Sequence, residues 1–278
     1  MSQEAFGGDN AESLYDEGLT ASMKGDLNRA VECFEGAVRH DRSIATAYHQ
    51  LGKCYTRLGR HKEAVLLLMQ VAKKRPKLYA ARIDLGTALT STGDLEQAKV
   101  HFNAVLNDKP DNGKALLGIA KVEFSGGNWA GALKYAQESL EKAGANYACL
   151  FMIGRAAQLT EDSSTSQRAL SKADDLINKY LEMNEAKPEG HYLRGEIAFV
   201  QSDYVIALEC YRRAEDRIDE KRSYSAYGEN FGIVEALARQ AQCYERMEKR
   251  DRAKEMAERL QKVDANHPVC KAILGPRN

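Results

Sequence analysis

The sequence predicts an all-α fold, an α-α superhelix (solenoid) of about seven helix pairs. The first reason is a recurring stretch of turn, amphipathic helix and stop, which begins at Gly25, at Gly59 and again at Gly93, 34 residues apart. A fixed period of this length is typical of repeat architectures. The second reason is composition, since the chain has only 5 prolines in 278 residues and Ala, Leu, Glu and Lys dominate its long segments. These residues favour helix.

Charge and composition exclude several classes of protein. Lys plus Arg and Asp plus Glu are both 40, so the formal net charge is zero, and we expect no nucleic-acid partner of the kind that a basic chain binds. The first residues show no basic region followed by an apolar run, and no stretch reaches ~18 consecutive apolar residues, so we expect neither a signal peptide nor membrane insertion. The 6 cysteines are scattered without a CxxC pair, which favours a reducing, cytoplasmic location.

The predicted array occupies residues 11–267 and places a small residue at two positions of every repeat. A small side chain on each helix of a pair lets the two backbones approach closely where the helices cross. The predicted repeats are about 11–44, 45–78, 79–112, 113–146, 147–187 with an insertion, 188–221 and 234–267. Position 8 is Gly18, Gly52, Gly86, Ala120, Gly154, Gly195 and Ala241. Position 20 is Ala30, Ala64, Ala98, Ala132, Ala207 and Ala253, and in the fifth repeat we assign it to Ala173, seven residues late.

Glycine and proline mark the ends of the predicted helices. Position 15 of the first four repeats is glycine, which can take the positive φ that ends a helix. Pro76 and Pro110 stand where the second helix of a repeat must stop. The glycines are Gly25, Gly59, Gly93 and Gly127.

Two interruptions and two termini fall outside the period. We interpret the Ser-rich segment 160–172 as an extended turn between two helices. The segment 219–232 holds Tyr224, Tyr227 and Phe231, and these aromatics indicate that it could pack back on the array; plain loop extension is the alternative for both segments. We expect residues 1–10 to be disordered and residues 268–278, with their apolar run, to cap the last repeat.

The pattern resembles the tetratricopeptide repeat family. The resemblance rests on the segment Leu51–Val65, on phenylalanine at position 24 (Phe34, Phe102) and on the prolines at position 32. It is weaker in the fourth repeat, where Glu123 and Ala136 replace larger apolar residues. The resemblance implies a non-catalytic scaffold for protein–protein interaction, whose first helices line a concave groove through positions 2, 5, 9 and 12.

Those positions predict a peptide-binding groove that combines cations with aromatics. Such a groove favours a protein or peptide partner with acidic and apolar residues. The alternative is that the aromatics pack between neighbouring repeats. The candidate groove residues are Lys53, Lys114, Lys121, Phe124, Phe151, Arg155, Tyr192 and Phe199.

No motif in the sequence points to catalysis. The chain has no GxxxxGK[ST], HExxH or GxSxG pattern, and none of its 6 histidines is spaced as a ligand pair on a predicted helix. We therefore predict no enzyme activity, no catalytic residue, no metal and no cofactor. Two alternatives stay open beside the scaffold: a self-assembling homo-oligomer, and an accessory subunit of a larger enzyme complex.

Overall fold

A computed structural model of the chain describes residues 10–226 and 229–275. The chain divides into two units, residues 1–144 and 145–278, which we describe separately as unit 1 and unit 2. In both units the described residues form helical hairpins that pack on their neighbours along the chain. The predicted all-α repeat fold is confirmed.

The described residues of unit 1 form four helical hairpins, and each hairpin packs on the next. The first helix of a hairpin begins close to the predicted start of a repeat. The helices are α1 (Ala11–Met23), α2 (Leu27–His40), α3 (Ala45–Arg57), α4 (His61–Lys74), α5 (Tyr79–Thr92), α6 (Leu95–Asp108), α7 (Gly113–Ser125) and α8 (Trp129–Ala143).

Within a hairpin, the small residue at position 8 faces a large side chain at position 24 of the second helix. A Cβ atom at Gly52 would come within 2.7 Å of Leu68, and one at Gly86 within 2.7 Å of Phe102. Such a contact leaves no room for a Cβ atom at these two glycines, and overpacking of this kind costs about 1–3 kcal/mol. The glycines of the repeat thus set the distance between the paired helices.

The turn inside each hairpin of unit 1 uses the predicted glycine. Gly25, Gly59, Gly93 and Gly127 all have positive φ, between 73° and 83°. Gly59 and Gly93 have open space around the position of a Cβ atom, so the backbone angle alone favours glycine there.

Unit 2 contains three hairpins, a two-stranded sheet and a short last helix among its described residues. The two strands pair antiparallel, with Tyr224 opposite Phe231. The elements are α9 (Tyr147–Leu159), α10 (Ser163–Asn184), α11 (Pro188–Val200), α12 (Tyr204–Glu215), β1 (Tyr224–Ala226), β2 (Glu229–Phe231), α13 (Ile233–Arg246), α14 (Arg250–Val263) and α15 (Pro268–Leu274).

The first interruption is an elongated helix rather than an extended turn, so our interpretation of segment 160–172 is wrong. Helix α10 begins at Ser163 and has 22 residues, whereas the other second helices have 12 to 15. The added turns lie at its C-terminal end, where Leu181 packs against Gly190 of α11.

The assignment of position 20 in the fifth repeat is also wrong. A Cβ atom at Gly154 would lie 2.5 Å from Leu170, which is the same spacing of partners as in the other hairpins. Position 20 is therefore Ser166, which is buried and donates a hydrogen bond of 2.9 Å from Oγ to the Gly154 carbonyl. A small hydroxyl residue replaces alanine there, and a search for alanine alone overlooks it.

The second interruption packs back on the array, as we considered from its aromatics. The Phe231 side chain is 1% exposed, and its ring lies parallel to that of Tyr192 on α11 with centroids 4.2 Å apart. The Tyr224 ring, opposite Phe231 in the sheet, stacks on the Phe231 ring with centroids 5.5 Å apart. Tyr227 lies outside the described residues.

The ends of the described chain are helical. Asn10 caps α1 by accepting a hydrogen bond of 2.7 Å from the Ser13 backbone N–H, and the rest of the segment predicted to be disordered lies outside the described residues. Helix α15 lies against α13 and α14, with Val269 and Cys270 buried. No helix in the described part of the chain is long and apolar enough to cross a membrane.

Candidate functional site

In unit 1 the candidate groove residues lie on α3 and α7, on the helix face that carries positions 2, 5, 9 and 12. We call the face of α3, α5 and α7 that carries these positions the first-helix face of unit 1. Lys53 and Lys114 are exposed on it, whereas Lys121 and Phe124 are half-buried. Between the two lysine-bearing helices, α5 contributes the exposed Thr87.

A polar contact that the groove prediction did not include joins two helices of this face. Nε2 of His49 on α3 lies 2.7 Å from Oδ2 of Asp84 on α5. His49 is 8% exposed, so this contact lies beneath the surface of the face, between the more exposed side chains. The two residues are 35 apart in the sequence, and only the stacking of one repeat on the next brings them together.

At the end of α7, Phe124 belongs to a small mixed cluster. Its ring meets Trp129, the chain's single tryptophan, edge-on with centroids 5.1 Å apart. Beside it, Glu123 pairs with Lys99 at 2.9 Å and accepts a hydrogen bond of 2.7 Å from Asn128. Burial acts to raise the pKa of Glu123, but the bonds from Lys99 and Asn128 outweigh it, and its pKa is lowered. The carboxylate is therefore charged and paired at neutral pH.

In unit 2 two of the predicted groove aromatics are buried, which contradicts their expected role on an open face. Phe151 is 4% exposed and lies nearly parallel to Tyr147, with centroids 5.3 Å apart. The Arg155 guanidinium lies over the Phe151 ring at 5.6 Å. Tyr192 is 5% exposed because Phe231 covers it from the strand hairpin. A one-dimensional pattern does not show that an inserted segment returns to cover a helix face.

A buried charge network stands beside Tyr192. Glu196, at position 9 of its repeat, is 8% exposed and accepts hydrogen bonds of 2.7 Å from the Tyr211 hydroxyl and from the Arg239 guanidinium. Burial, together with the negative charge of Glu196, raises the pKa of Tyr211 well above its ordinary value. The tyrosine therefore remains a neutral donor, and the network holds α11, α12 and α13 together.

The last candidate residue, Phe199, is half-buried between two partners. The Arg239 guanidinium lies 5.0 Å from the centre of its ring, and Tyr204 meets it edge-on at 5.4 Å. Arg239 thus neutralises Glu196 and also covers Phe199. The groove prediction did not include Arg239, which stands at position 6 of its repeat, and its partner Glu196 is 43 residues away.

The described residues contain no group of three or more His, Cys, Asp or Glu side chains placed to hold a metal ion. All 6 cysteines are free and buried.

Stacked helical hairpins with a repeating small-residue contact define a helical repeat scaffold. Models of the tetratricopeptide repeat match residues 15–79, 59–122 and 235–267. The chain belongs to the tetratricopeptide repeat family. This fold is typical of protein–protein interaction and is generally non-catalytic.

Curated relatives match parts of the chain. It is 25% identical over 151 residues to cellulose synthase 1 operon protein C of Komagataeibacter xylinus, and this match covers 50% of this chain and 11% of the relative. It is 31% identical over 90 residues to tetratricopeptide repeat protein 8 of Mus musculus, covering 32% of this chain and 18% of the relative. The matches thus span at most 18% of the length of these relatives.

Solved structures share the fold at low identity. A tetratricopeptide repeat protein from Parabacteroides merdae matches with a TM-score of 0.59 and 15% identity, covering 95% of this chain and 97% of that one. A chain of the APC/C hetero-tetramer Cut9–Hcn1 matches with a TM-score of 0.63 and 14% identity, covering 94% and 48%.

Proposed function

We propose that the chain is a non-catalytic scaffold that binds a segment of a partner protein on the first-helix face of unit 1. The observation that carries the proposal is the uncovered state of this face. Lys53, Thr87 and Lys114 are exposed on three neighbouring helices, while Leu51, Leu85 and Ala115 on the same helices are buried in the core.

The side chains of this face favour a particular partner chemistry. The two exposed lysines attract carboxylates, and the half-buried Ile83 and Phe124 offer apolar contact. A segment with acidic residues around an apolar anchor suits such a surface, because charges on the rim guide association while a buried apolar side chain supplies most of the affinity. Lys121 in unit 1, and Arg155 and Phe199 in unit 2, remain predicted partner contacts of their own units.

A charge-reversal pair tests the proposal. Three purified proteins would each be used to capture partners from native lysate: the wild type, Lys53→Glu/Lys114→Glu and the control Lys62→Glu/Lys134→Glu. The two lysines of the control are exposed on α4 and α8. A captured protein would then be purified and titrated by calorimetry against all three. We expect Kd to rise at least about tenfold for the first variant only, since 1.4 kcal/mol is one decade in affinity.

Equal affinity of all three proteins for every captured partner would contradict the proposal. Sedimentation over a concentration series distinguishes the self-assembly alternative, because a homo-oligomer dissociates on dilution and a monomer does not. We also propose a cytoplasmic location, which the 6 free cysteines support.

A further inference from the structure

An open pocket of about 720 Å³ lies in unit 1 and is lined by none of the candidate groove residues, although it shares Thr46, at position 2 of α3, with the first-helix face. It forms where the connection before α3 meets the connection before α5, and residues 43–46 and 74–78 line it. These residues belong to the joints between successive repeats, so the pocket is a feature of the repeat edge. We call it the basic junction pocket.

Apolar side chains stand in this pocket at positions where the following repeats use a helix cap. Ile44 and Leu78 are the N-cap residues of α3 and α5, and neither makes a side-chain cap bond. At the two next joints Asn112 and Asn146 cap α7 and α9 through their side-chain oxygens. An aliphatic residue at an N-cap gives up helix stability. Together with Pro76, Ile44 and Leu78 form an apolar wall of the pocket, and neither side chain caps its helix.

Three cations line the pocket beside the neutral residues 43, 45 and 46. Lys74, Arg75 and Lys77 line it and are exposed, and none of them forms an ion pair within the described part of the chain. No Asp or Glu is among the lining residues. The neighbouring Asp41 turns back to accept a hydrogen bond of 2.7 Å from the Ser43 backbone N–H.

The next joint of the same unit provides a comparison in which two of the three charges are reversed, while Lys109 keeps the positive charge of Arg75. Asp108 and Asp111 stand there at the repeat positions of Lys74 and Lys77. Both are partnered inside the chain, since Asp108 accepts a hydrogen bond of 3.0 Å from Tyr79 and Asp111 pairs with Lys142 at 2.8 Å. The charges of that joint are used within the fold, whereas those of the basic junction pocket remain available to a ligand.

We propose that the basic junction pocket is a second docking site, for an extended segment of a partner protein with one aliphatic or aromatic side chain between acidic residues. The apolar side chain enters against Ile44, Pro76 and Leu78, and the carboxylates meet Lys74 and Lys77. A nucleic acid suits the pocket less well, because its wall has no aromatic ring for a base to stack on.

Fluorescein-labelled nonapeptides test this assignment by anisotropy. The probe is Gly-Ser-Glu-Glu-Leu-Glu-Glu-Ser-Gly, with two comparison peptides in which alanine replaces leucine or glutamine replaces each glutamate. We expect the probe to bind wild-type protein at least tenfold more tightly than either comparison peptide. Lys74→Glu/Lys77→Glu should weaken the probe at least tenfold, while Lys62→Glu/Lys134→Glu leaves Kd unchanged. Circular dichroism and Trp129 fluorescence check that every variant is folded.

Three outcomes would overturn the proposal. The first is a probe that does not bind, or that binds Lys74→Glu/Lys77→Glu as well as the wild type. The second is loss of the probe in Lys53→Glu/Lys114→Glu alone, which would place it on the first-helix face. The third is binding of a labelled 20-nucleotide poly-U that is lost in Lys74→Glu/Lys77→Glu, while the peptides do not bind the wild type. Retained probe binding in Lys53→Glu/Lys114→Glu would support a site independent of the proposed function.

Discussion

The two units build their hairpins by the same scheme, but they complete the first-helix face differently. In unit 1 the positions 9 of α3 and α5 carry Lys53 and Thr87, which are exposed. In unit 2 the same position of α11 carries Glu196, which is 8% exposed and bonded to Arg239 and Tyr211. One repeat pattern can therefore leave a face open to a partner or use it for internal cohesion, depending on the side chains that reach it.

The units also differ at the turn inside each hairpin. Unit 1 places glycine at position 15, whereas unit 2 places Glu161, Ser202 and Glu248 there, with φ of 61°, 63° and 59°. The backbone conformation is the same, but a residue with a Cβ atom is strained in it. The repeat geometry imposes the left-handed turn even where the residue does not favour it.

The largest effect is predicted for a substitution that uncovers Tyr192 on α11 of unit 2. Phe231→Ala removes a ring that is 1% exposed between Tyr192 and Tyr224, and truncation of a buried phenylalanine costs about 3–5 kcal/mol. We expect hydrogen exchange, followed by mass spectrometry, to show that the strand hairpin and α11 lose protection. Val205→Ala, at a side chain that is 66% exposed, is the control and should change little. Unchanged exchange of α11 in Phe231→Ala would show that the hairpin does not stabilise this face.

The second prediction concerns the buried charge. Arg239→Met leaves the Glu196 carboxylate without its cation at 8% exposure, and we expect the free energy of unfolding of unit 2 to fall by about 3 kcal/mol. The matched change in unit 1 is Arg29→Met, which removes exposed pairs with Glu17 and Glu32 and should cost much less, because exposed ion pairs contribute little to stability. Hydrogen exchange reports both units in one experiment. Equal losses in the two variants would refute the contrast between a buried and an exposed pair.

The third prediction exchanges the turn residues. Gly59→Ala introduces a Cβ atom at a φ of 73° and should destabilise unit 1 by about 1 kcal/mol. Glu248→Gly relieves the same strain in unit 2, and we expect a gain of about 0.5 kcal/mol after the added entropy of the unfolded chain. Urea unfolding followed by Trp129 fluorescence reports Gly59→Ala, and exchange of α13 and α14 reports Glu248→Gly. A loss of stability in both variants would mean that side-chain contacts, and not φ, determine the residue at this turn.

The smallest predicted effect is that of Ser166→Ala, which restores the residue that position 20 has in the other repeats. The change loses one hydrogen bond to the Gly154 carbonyl and gains helix propensity. We expect the free energy of unfolding to change by less than about 0.5 kcal/mol in a urea titration followed by circular dichroism. A loss above about 2 kcal/mol would show that the serine is required for the fifth hairpin.

The elements that the sequence predicted well are those defined by local chemistry. The turn glycines and the contact of position 8 with the second helix follow from steric limits that every repeat obeys separately, so a period of 34 residues reveals them. The site was predicted less well. Lys53 and Lys114 are exposed, but Phe151 and Tyr192 are buried. The ring that covers Tyr192 comes from Phe231, which lies far along the chain.

The sequence by itself determined the class of fold, the helix pairing and the left-handed turns of unit 1, because each depends on residues within one hairpin. Only the tertiary structure decided which helix faces remain open. The parallel stacking of Phe231 on Tyr192 joins residues 39 positions apart in the sequence, and the bond between Arg239 and Glu196 spans 43. Such contacts depend on how the elements pack in the folded structure, since burial and charge pairing depend on distance in space and not on the period of the chain.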